Sequence, residues 1–235
     1  MKRSEINSAI RYAIKTLEDN HLRLPAFAYW SMEKWKEHGH KLDNIKAVCL
    51  GWDVTDFGTG DFDRVGSVLF TVRNGSLLDP SVGTPYAEKI IFQRHESEQE
   101  IPFHFHKMKT EDIINRGGGV LMLELFNSTP GGGLDTKKPI TVKMDGIMCN
   151  LPAGAIVEIK KGCSITLHPR LHHRFWAKKG AGDLVVGEVS SINDDNVDNV
   201  FLKVPKRFSE IEEDEAALFP LCGEYDFWRD FYCGF

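Results

Sequence analysis

Two histidines and a glutamate within eight residues are the strongest chemical signal in the chain. His104 and His106 flank Phe105, and Glu111 follows five residues after His106. Side chains i and i+2 of a strand lie on one face, so both imidazoles are predicted to point the same way, and the carboxylate can return there after a short turn. Two nitrogens and one oxygen suit a divalent ion such as Mn, Fe, Co, Ni or Zn. The alternative is two partly exposed strand histidines beside an unrelated glutamate.

A fourth ligand is expected from a distant part of the chain, because three ligands from one short segment rarely complete a site. The pair His172-His173 offers it. Adjacent residues of a strand face opposite ways, so only one of these two imidazoles can point inward.

Composition narrows the possible partners. The 235 residues suit one elaborated domain, and 42% hydrophobic with 27% charged residues is ordinary for a globular protein. A net charge of −5 argues against nucleic acid or an anionic membrane as a partner. Five scattered cysteines without a C-x-x-C pair, and an N-terminus unlike a signal peptide, predict reduced thiols in a cytoplasmic protein.

Helical periodicity is confined to the start of the chain. Residues 4–19 carry apolar side chains at three- and four-residue spacings, with Ser4 as a predicted N-cap, and a second helix is predicted over 31–38. From about residue 46 the period becomes that of strands, separated by Gly-, Pro- and Asn/Asp-rich turns. The predicted strands are 46–52, 67–73, 88–93, 102–106, 120–126, 140–144, 155–159, 164–167, 173–177 and 184–189.

Many short strands between regular turns indicate an antiparallel sandwich or barrel. We predict a single domain over 1–235. It has an N-terminal helical segment (1–40) packed on the barrel, a β-barrel core (46–205) and a C-terminal extension (206–235). The extension holds an acidic stretch (210–215) and an aromatic tail, which is predicted to pack on the barrel or on a neighbouring subunit.

The ligand spacing resembles the two motifs of the cupin family. In the first motif, G-x5-H-x-H-x3-4-E-x6-G, only the leading glycine is missing. In the second, G-x5-P-x-G-x2-H, the first glycine and the last histidine fit, and that spacing selects His173 over His172 as the fourth ligand. His168 replaces the proline and is predicted to be exposed. Arg170 replaces a glycine, which predicts a turn without a glycine-only conformation.

Further segments resemble the D-lyxose isomerase family from the first helix to about Tyr225. They are LGWDVTDF (50–57), LFTVRNG (69–75), YAEK (86–89), TEDIINRGGG (110–119), FW (175–176), GEVSS (187–191), NDD (193–195) and IEEDE (211–215). The resemblance implies an all-β cupin (jelly-roll β-barrel or sandwich) with N-terminal helices. It also implies a metal-dependent aldose–ketose isomerase that interconverts D-lyxose and D-xylulose, with D-mannose and D-fructose as secondary substrates. One divalent ion per subunit is expected, Mn before Fe, Co or Zn, and we expect a homodimer.

Isomerising an open-chain aldose moves a proton or a hydride between C1 and C2, and the proton route needs a base and an acid. Glu188 is the predicted base, Lys89 its polar partner, and Lys109 the next catalytic candidate. Arg116 and Trp176 are predicted to bind substrate. The alternatives are a structural hydrogen bond for Glu188, surface cations or structural ion pairs for the basic residues, and core packing for Trp176. Asp194 and Asp195 are interpreted as turn formers.

Two other function classes fit three histidines and a glutamate on this fold. A cupin Fe(II) dioxygenase would line its cavity with apolar and aromatic groups, and a non-catalytic sugar-binding cupin would need the metal site closed or absent. The basic and acidic candidates around the predicted ligands favour the isomerase.

Overall fold

A computed structural model describes residues 1–195, 197–204 and 206–225 of the chain. The predicted packing of the aromatic tail concerns residues 226–235, which lie outside these ranges. No helix among the described residues has the length and the apolar character needed to span a bilayer.

Three α-helices precede the strands. Helix α1 spans Arg3–Asp19, α2 spans Met32–His38 and α3 spans Asp43–Ala47; 3-10 helices cover Ala26–Tyr29, Gly39–Leu42 and Cys222–Glu224. The predicted first helix is confirmed, but its N-cap is Lys2 and not Ser4, because the helical turn begins one residue earlier. Ser31 caps α2 by accepting a hydrogen bond from the Lys34 N–H.

The described residues form two antiparallel sheets. The strands are β1 Gly51–Thr55, β2 Ser67–Gly75, β3 Gly83–Gln93, β4 Glu100–His106, β5 Glu111–Gly118, β6 Leu121–Ser128, β7 Leu134–Asp135, β8 Ile140–Met144, β9 Ile147–Leu151, β10 Ala155–Ile159, β11 Ser164–Leu167, β12 Leu171–Ala177, β13 Leu184–Ser191 and β14 Asn199–Phe201. The larger sheet has the order β1-β2-β3-β13-β5-β11-β8-β9. The smaller has the order β10-β6-β12-β4-β14, with β7 beside β6.

The predicted all-β architecture with N-terminal helices is confirmed, and most predicted strands lie within two residues of the observed ones. The first prediction, 46–52, begins too early, because α3 continues to Ala47 and the strand starts only at Gly51. A strand over Glu111–Gly118 was not predicted. Charged residues and glycines interrupt the alternation of apolar and polar side chains in this segment, so the strand period is hard to recognise.

Two large apolar layers and a smaller cluster of Trp35, Leu42 and Tyr225 hold the fold together. One fills the space between the sheets, with residues such as Ile113, Leu123 and Phe175. The other lies between α1 and the outer face of the larger sheet, where Ile6, Ile10 and Leu17 pack with residues including Trp52, Phe70 and Phe92. Burying each of these aliphatic side chains stabilises the fold by roughly 1.5–3 kcal/mol. The helix therefore covers the outer face of the larger sheet, and the space between the sheets is shared by an apolar layer and a group of polar side chains.

Candidate active site

The four predicted metal ligands come from three strands and converge inside the barrel. His104 and His106 lie on β4, His173 lies on the neighbouring β12 directly opposite His104, and Glu111 begins β5 on the larger sheet. One ring nitrogen from each of the three histidines lies within 4.8 Å of the other two, and all three side chains are buried. The alternation of β4 therefore places both imidazoles on one face, as the sequence predicts.

Hydrogen bonds set the orientation of two of the three rings. His104 Nδ1 lies 2.9 Å from the Pro102 carbonyl oxygen, and His173 Nδ1 lies 3.0 Å from the Leu171 carbonyl oxygen. A carbonyl accepts only, so each Nδ1 carries the proton and each Nε2 presents a lone pair. His106 Nδ1 lies 3.5 Å from a carboxylate oxygen of Asp198, which favours the same tautomer.

The site fits a cation. Glu111 Oε1 lies 3.2 Å from His106 Nε2 and 3.1 Å from His173 Nε2, and none of these three buried atoms has a hydrogen-bond partner among the described residues. Lone pairs facing a carboxylate oxygen repel one another unless a positive ion lies between them. Ligand atoms at about 2.1 Å from a metal and a right angle apart would be about 3.0 Å from each other, close to the observed spacing.

The protonation states of His104 and Glu111 agree with this donor set. Burial, together with the neighbouring His173 and His106, holds the pKa of His104 well below its ordinary value, so the ring is neutral. Burial by itself raises the pKa of Glu111, but His106 and Lys109 outweigh it and hold that pKa well below its ordinary value. Neutral imidazoles and an ionised carboxylate are the forms that bind divalent ions. Burial lowers the pKa of His106, but Glu111 outweighs that effect and raises it above its ordinary value, so an ion that binds there displaces a proton.

His172 points away from this group. Its Nε2 lies 2.9 Å from the Gly132 carbonyl oxygen, and its ring packs on Phe105, whose side chain alternates with the ligand histidines on β4. The alternation of β12 thus brings His173 into the barrel and sends His172 to the other face. His168 is exposed, as predicted.

The turn before β12 differs from the prediction. Arg170 has a φ of +64°, so this position does adopt the left-handed conformation that a glycine in the cupin motif would adopt easily. Its backbone N–H donates to the His106 carbonyl oxygen at 2.8 Å, and its carbonyl accepts from the Ser128 N–H at 3.0 Å. These hydrogen bonds stabilise a backbone conformation that is unfavourable for arginine, and the first of them joins the turn to β4.

Lys109 lies between Glu188 and the candidate metal group, which consists of His104, His106, Glu111 and His173. Its ammonium lies 2.9 Å from Glu111 Oε2, 2.6 Å from Glu188 Oε1 and 3.1 Å from Asn193 Oδ1. An ammonium has three N–H donors, so these three acceptors use all of them. Burial lowers the pKa of Lys109, but the two carboxylates raise it above the ordinary value, so the group stays charged.

Lys89 lies on the other side of Glu188. Its ammonium is 3.5 Å from Glu188 Oε1 and 3.8 Å from Asp195 Oδ1, which are ion-pair distances, and it is almost completely buried. Burial raises the pKa of Glu188, but Lys109 and Lys89 outweigh that effect and lower it. Glu188 is therefore a carboxylate held between two cations, and Lys89 is the cation whose donors are less engaged.

Asp195 and Arg207 extend the same chain of alternating charges. Arg207 Nη2 donates to Asp195 Oδ2 and to Asp53 Oδ2, each at 2.7 Å. Burial raises the pKa of Asp195, but Lys89 and Arg207 hold it well below its ordinary value. The sequence predicts a turn at Asp195 and gives no signal for Arg207. Asp195 does lie in a turn, but that turn folds inward over the cavity, which local sequence does not show.

Two predicted substrate-binding residues do not reach this cavity. Arg116 is exposed, because the alternation of β5 directs Glu111 and Ile113 inward and Arg116 outward, where it packs across Gly187. Trp176 alternates with the inward Phe175 of β12 and lies on the outer face under the Arg174 guanidinium, 5.1 Å from the ring centre. The structure thus does not bring these two side chains to the cavity, since both lie on the outer side of their sheets, and their contact with substrate stays a prediction.

The cavity between the sheets is small, and a second one adjoins it. The first, of about 40 Å³, is lined by the ligands, by Lys89, Lys109 and Glu188, and by an apolar floor that includes Ile91 and Ile113. The second, of about 300 Å³, shares Leu69, Lys89 and Asp195 with it. Lys89 and Asp195 therefore lie at the boundary between the two cavities.

Similarity to characterised proteins agrees with this architecture. The model of the D-lyxose isomerase family matches residues 1–225. A D-lyxose/D-mannose isomerase of Serratia proteamaculans is 42% identical over 226 residues, which cover 96% of this chain and 98% of that protein. One of Escherichia coli O157:H7 is 43% identical over 230 residues, covering 97% of this chain and 100% of that protein.

Solved structures show the same fold at low sequence identity. An L-ribose isomerase of Acinetobacter sp. DL28 in complex with L-ribose has a TM-score of 0.59 and 15% identity, covering 90% of this chain and 98% of that chain. The L-ribose isomerase of Cellulomonas parahominis has a TM-score of 0.55 and 16% identity, with 90% and 98% covered. The fold is that of a cupin, and the protein is a sugar isomerase. The chain belongs to the D-lyxose isomerase family.

Proposed function

We propose that this protein is a metal-dependent aldose–ketose isomerase that interconverts D-lyxose and D-xylulose, with D-mannose and D-fructose as a second pair. Support comes from relatives at 42% and 43% identity that carry the name D-lyxose/D-mannose isomerase. The proposal includes one divalent ion per subunit, Mn before Fe, Co or Zn. It also keeps the homodimer and the cytoplasmic location expected from the sequence.

One observation carries the proposal: a group of three histidines and Glu111 lies beside a buried carboxylate, Glu188, flanked by two lysines. The proposed ligands are His104, His106, Glu111 and His173. The bound ion would polarise the C1 carbonyl and acidify the C2 hydroxyl of an open-chain sugar. The protein supplies the group that moves a proton between the two carbons.

Glu188 is the proposed base. Its pKa is lowered, so it is ionised at neutral pH and can accept a proton from C2 and return it to C1. Lys109 is a positioning residue, because its three donors are used by Glu111, Glu188 and Asn193. Lys89 is the cation proposed to contact the substrate oxygens, since its ion pairs with Glu188 and Asp195 are long, at 3.5 and 3.8 Å.

The other two function classes are less well supported. A dioxygenase cavity would have few charges around the metal. This cavity has an apolar side, but six charged side chains also line it beside the histidines: Lys89, Lys109, Glu111, Glu188, Asp195 and Arg207. A binding protein has no need of a buried base between two lysines. Membership of an isomerase family adds to both arguments.

The direct test is addition of individual divalent ions to metal-stripped protein with D-lyxose, followed by measurement of ketose. We expect D-xylulose to form with Mn, without consumption of oxygen or a nicotinamide. Solvent deuterium should enter the D-xylulose product at C1 if Glu188 exchanges the proton, and should be absent from it if a hydride moves directly. Oxygen uptake without ketose would overturn the proposal in favour of the dioxygenase.

A further inference from the structure

Three polar atoms of the cavity are buried without a hydrogen-bond partner, in addition to those of the metal group. They are Ser67 Oγ, Asn199 Oδ1 and Arg207 Nη1, and all three residues line the cavity that holds the ligands. A buried polar atom without a partner destabilises a fold, so native proteins rarely keep one that has no role. Three around one cavity point to a ligand that brings its own hydrogen-bonding groups.

The amide of Asn199 has a defined orientation. Its Nδ2 donates to Asp195 Oδ1 at 2.9 Å, and a carboxylate accepts only. The amide oxygen is therefore the acceptor that is left buried without a partner among the described residues. Asn199 lies on β14 directly opposite His106 of β4, so this acceptor is beside the metal group.

Arg207 presents a donor to the same space. Its Nη2 is engaged by Asp53 and Asp195, which hold the guanidinium in place and leave Nη1 without a partner among the described residues. Ser67, at the start of β2, is 1% exposed, and its hydroxyl can donate or accept. The cavity thus offers an acceptor, a charged donor and a group of either kind.

We propose that Ser67, Asn199 and Arg207 form a subsite for the hydroxyl groups of the sugar beyond the two reacting carbons. A hydroxyl both donates and accepts, which matches a mixed set of donor and acceptor better than an anion or a carbonyl compound would. Phe57 and Phe201 line the same cavity and provide apolar surface for the C–H faces of the sugar. The inference rests on the proposed function only in taking the ligand to be a sugar.

The test uses three variants of the full, metal-loaded protein: Ser67→Ala, Asn199→Ala and Arg207→Lys. Two quantities are measured, the KM for D-lyxose and the affinity for D-arabinitol, the polyol formed by reducing D-lyxose, by calorimetry. Loss of one neutral hydrogen bond should weaken sugar affinity roughly 2- to 10-fold for Ser67→Ala and Asn199→Ala, and by about tenfold or more for Arg207→Lys, whose donor is charged.

Stability separates a binding role from a structural one. Ser67→Ala should not lower the melting temperature, because its hydroxyl has no partner in the folded protein to lose. The control is Thr16→Val in α1, whose buried hydroxyl donates to the Tyr12 carbonyl oxygen at 2.9 Å. That variant should melt earlier and keep wild-type sugar affinity.

Deoxygenated substrates sharpen the assignment. If one of these groups binds the hydroxyl at C3, C4 or C5, a sugar without that hydroxyl should bind the wild type more weakly than the intact sugar does. The variant that lacks the group should bind both sugars with nearly the same affinity. Unchanged affinity in all three variants would overturn the inference and assign these atoms to bound water alone, as would a wild type that neither isomerises D-lyxose nor binds the polyol. A wild type that binds the polyol through these residues but makes no ketose would contradict the proposed function and leave the subsite standing.

Discussion

Two groups of buried charges lie on opposite sides of the larger sheet, and they differ in what they leave unbonded. On the outer side, Arg3 of α1 is fully buried and donates to Glu213 and Glu224 of the C-terminal extension. Its Nε and Nη2 hold both oxygens of Glu213, and Nη1 reaches Glu224. No nitrogen of this guanidinium is among the buried polar atoms without a partner.

The acidic stretch around Glu213 also completes the start of α1. Asp214 accepts from the Ser4 N–H at 2.9 Å and from the Ser4 hydroxyl at 2.6 Å, and Asn7 donates to Glu215 and Ala216. Carboxylates near the first turn satisfy unpaired backbone donors and interact favourably with the helix dipole. The outer group therefore joins α1 to the C-terminal extension through ion pairs and hydrogen bonds.

The inner group consists of Lys89, Lys109, Glu111, Glu188, Asp195 and Arg207. Positive and negative side chains alternate in it as they do in the outer group, but atoms around its cavity lack a hydrogen-bond partner among the described residues. Ser67, Asn199 and Arg207 each present such an atom, in addition to the histidine nitrogens and Glu111 Oε1. Buried charge by itself thus does not identify a site. The distinction is whether donors and acceptors are matched within the protein or are left for a ligand.

The largest effect should come from a proposed metal ligand beside the inner group. His106→Ala removes one of the three histidine nitrogens that are proposed to bind the ion. We therefore expect metal affinity to fall by more than about 100-fold and isomerase activity to fall to background. Metal content measured by mass spectrometry checks this, with His172→Ala as the control.

His172 contacts Phe105 and Gly132 on the other face, so its variant should retain metal. Full occupancy in the His106 variant, or loss of metal in the His172 variant alone, would contradict the ligand assignment.

The next effect should separate chemistry from metal binding. Glu188→Gln keeps the shape of the side chain but removes the charge that accepts a proton, so kcat should fall roughly 10²–10⁴-fold with metal retained. Lys89→Met should also lose turnover while keeping the ion. Metal content is measured first, because an apo variant would be inactive for another reason. Near wild-type kcat in both variants would make these residues structural.

A change in the outer group should affect stability and spare catalysis. Arg3→Met leaves Glu224 unpaired beside a helix end, and since the Glu213 side chain is 50% exposed, we expect a loss of about 2–3 kcal/mol, less than for a fully buried pair. Denaturant unfolding measures this loss, and kcat and KM at a temperature where the variant is folded should match wild type. A selective fall in kcat would show that the outer group also shapes the cavity.

The pH dependence of that loss gives the smallest effect. The hydrogen bond from Arg3 lowers the pKa of Glu213 below its ordinary value of 4.5. A depressed pKa stabilises the folded state above the ordinary value, and this contribution is lost as the pH falls through the folded pKa. The difference in unfolding free energy between wild type and Arg3→Met should therefore shrink below about pH 4.5. A difference that stays constant with pH would show that the ion pair between Arg3 and Glu213 does not contribute to stability.

Local sequence determined the parts of this protein that depend on short-range periodicity. The alternation of His104, Phe105 and His106 fixed which side chains share a face, and the same rule places only one of His172 and His173 inside. The apolar spacing of α1 predicted a helix over almost its full length. These features follow from backbone geometry, which is the same wherever a helix or strand occurs.

Long-range arrangement was decided only by the tertiary structure. Residue type and nearness to the histidines and Glu111 in sequence predict substrate contacts for Arg116 and Trp176, but the pleat directs both side chains outward. Asp195 and Arg207 reach Lys89 and Asp53 through a turn and an extension that return over the barrel. Which charges meet depends on how strands and loops from all parts of the chain pack. No local pattern encodes that Arg3 would bond 210 residues away, nor that Ser67, Asn199 and Arg207 would share one cavity.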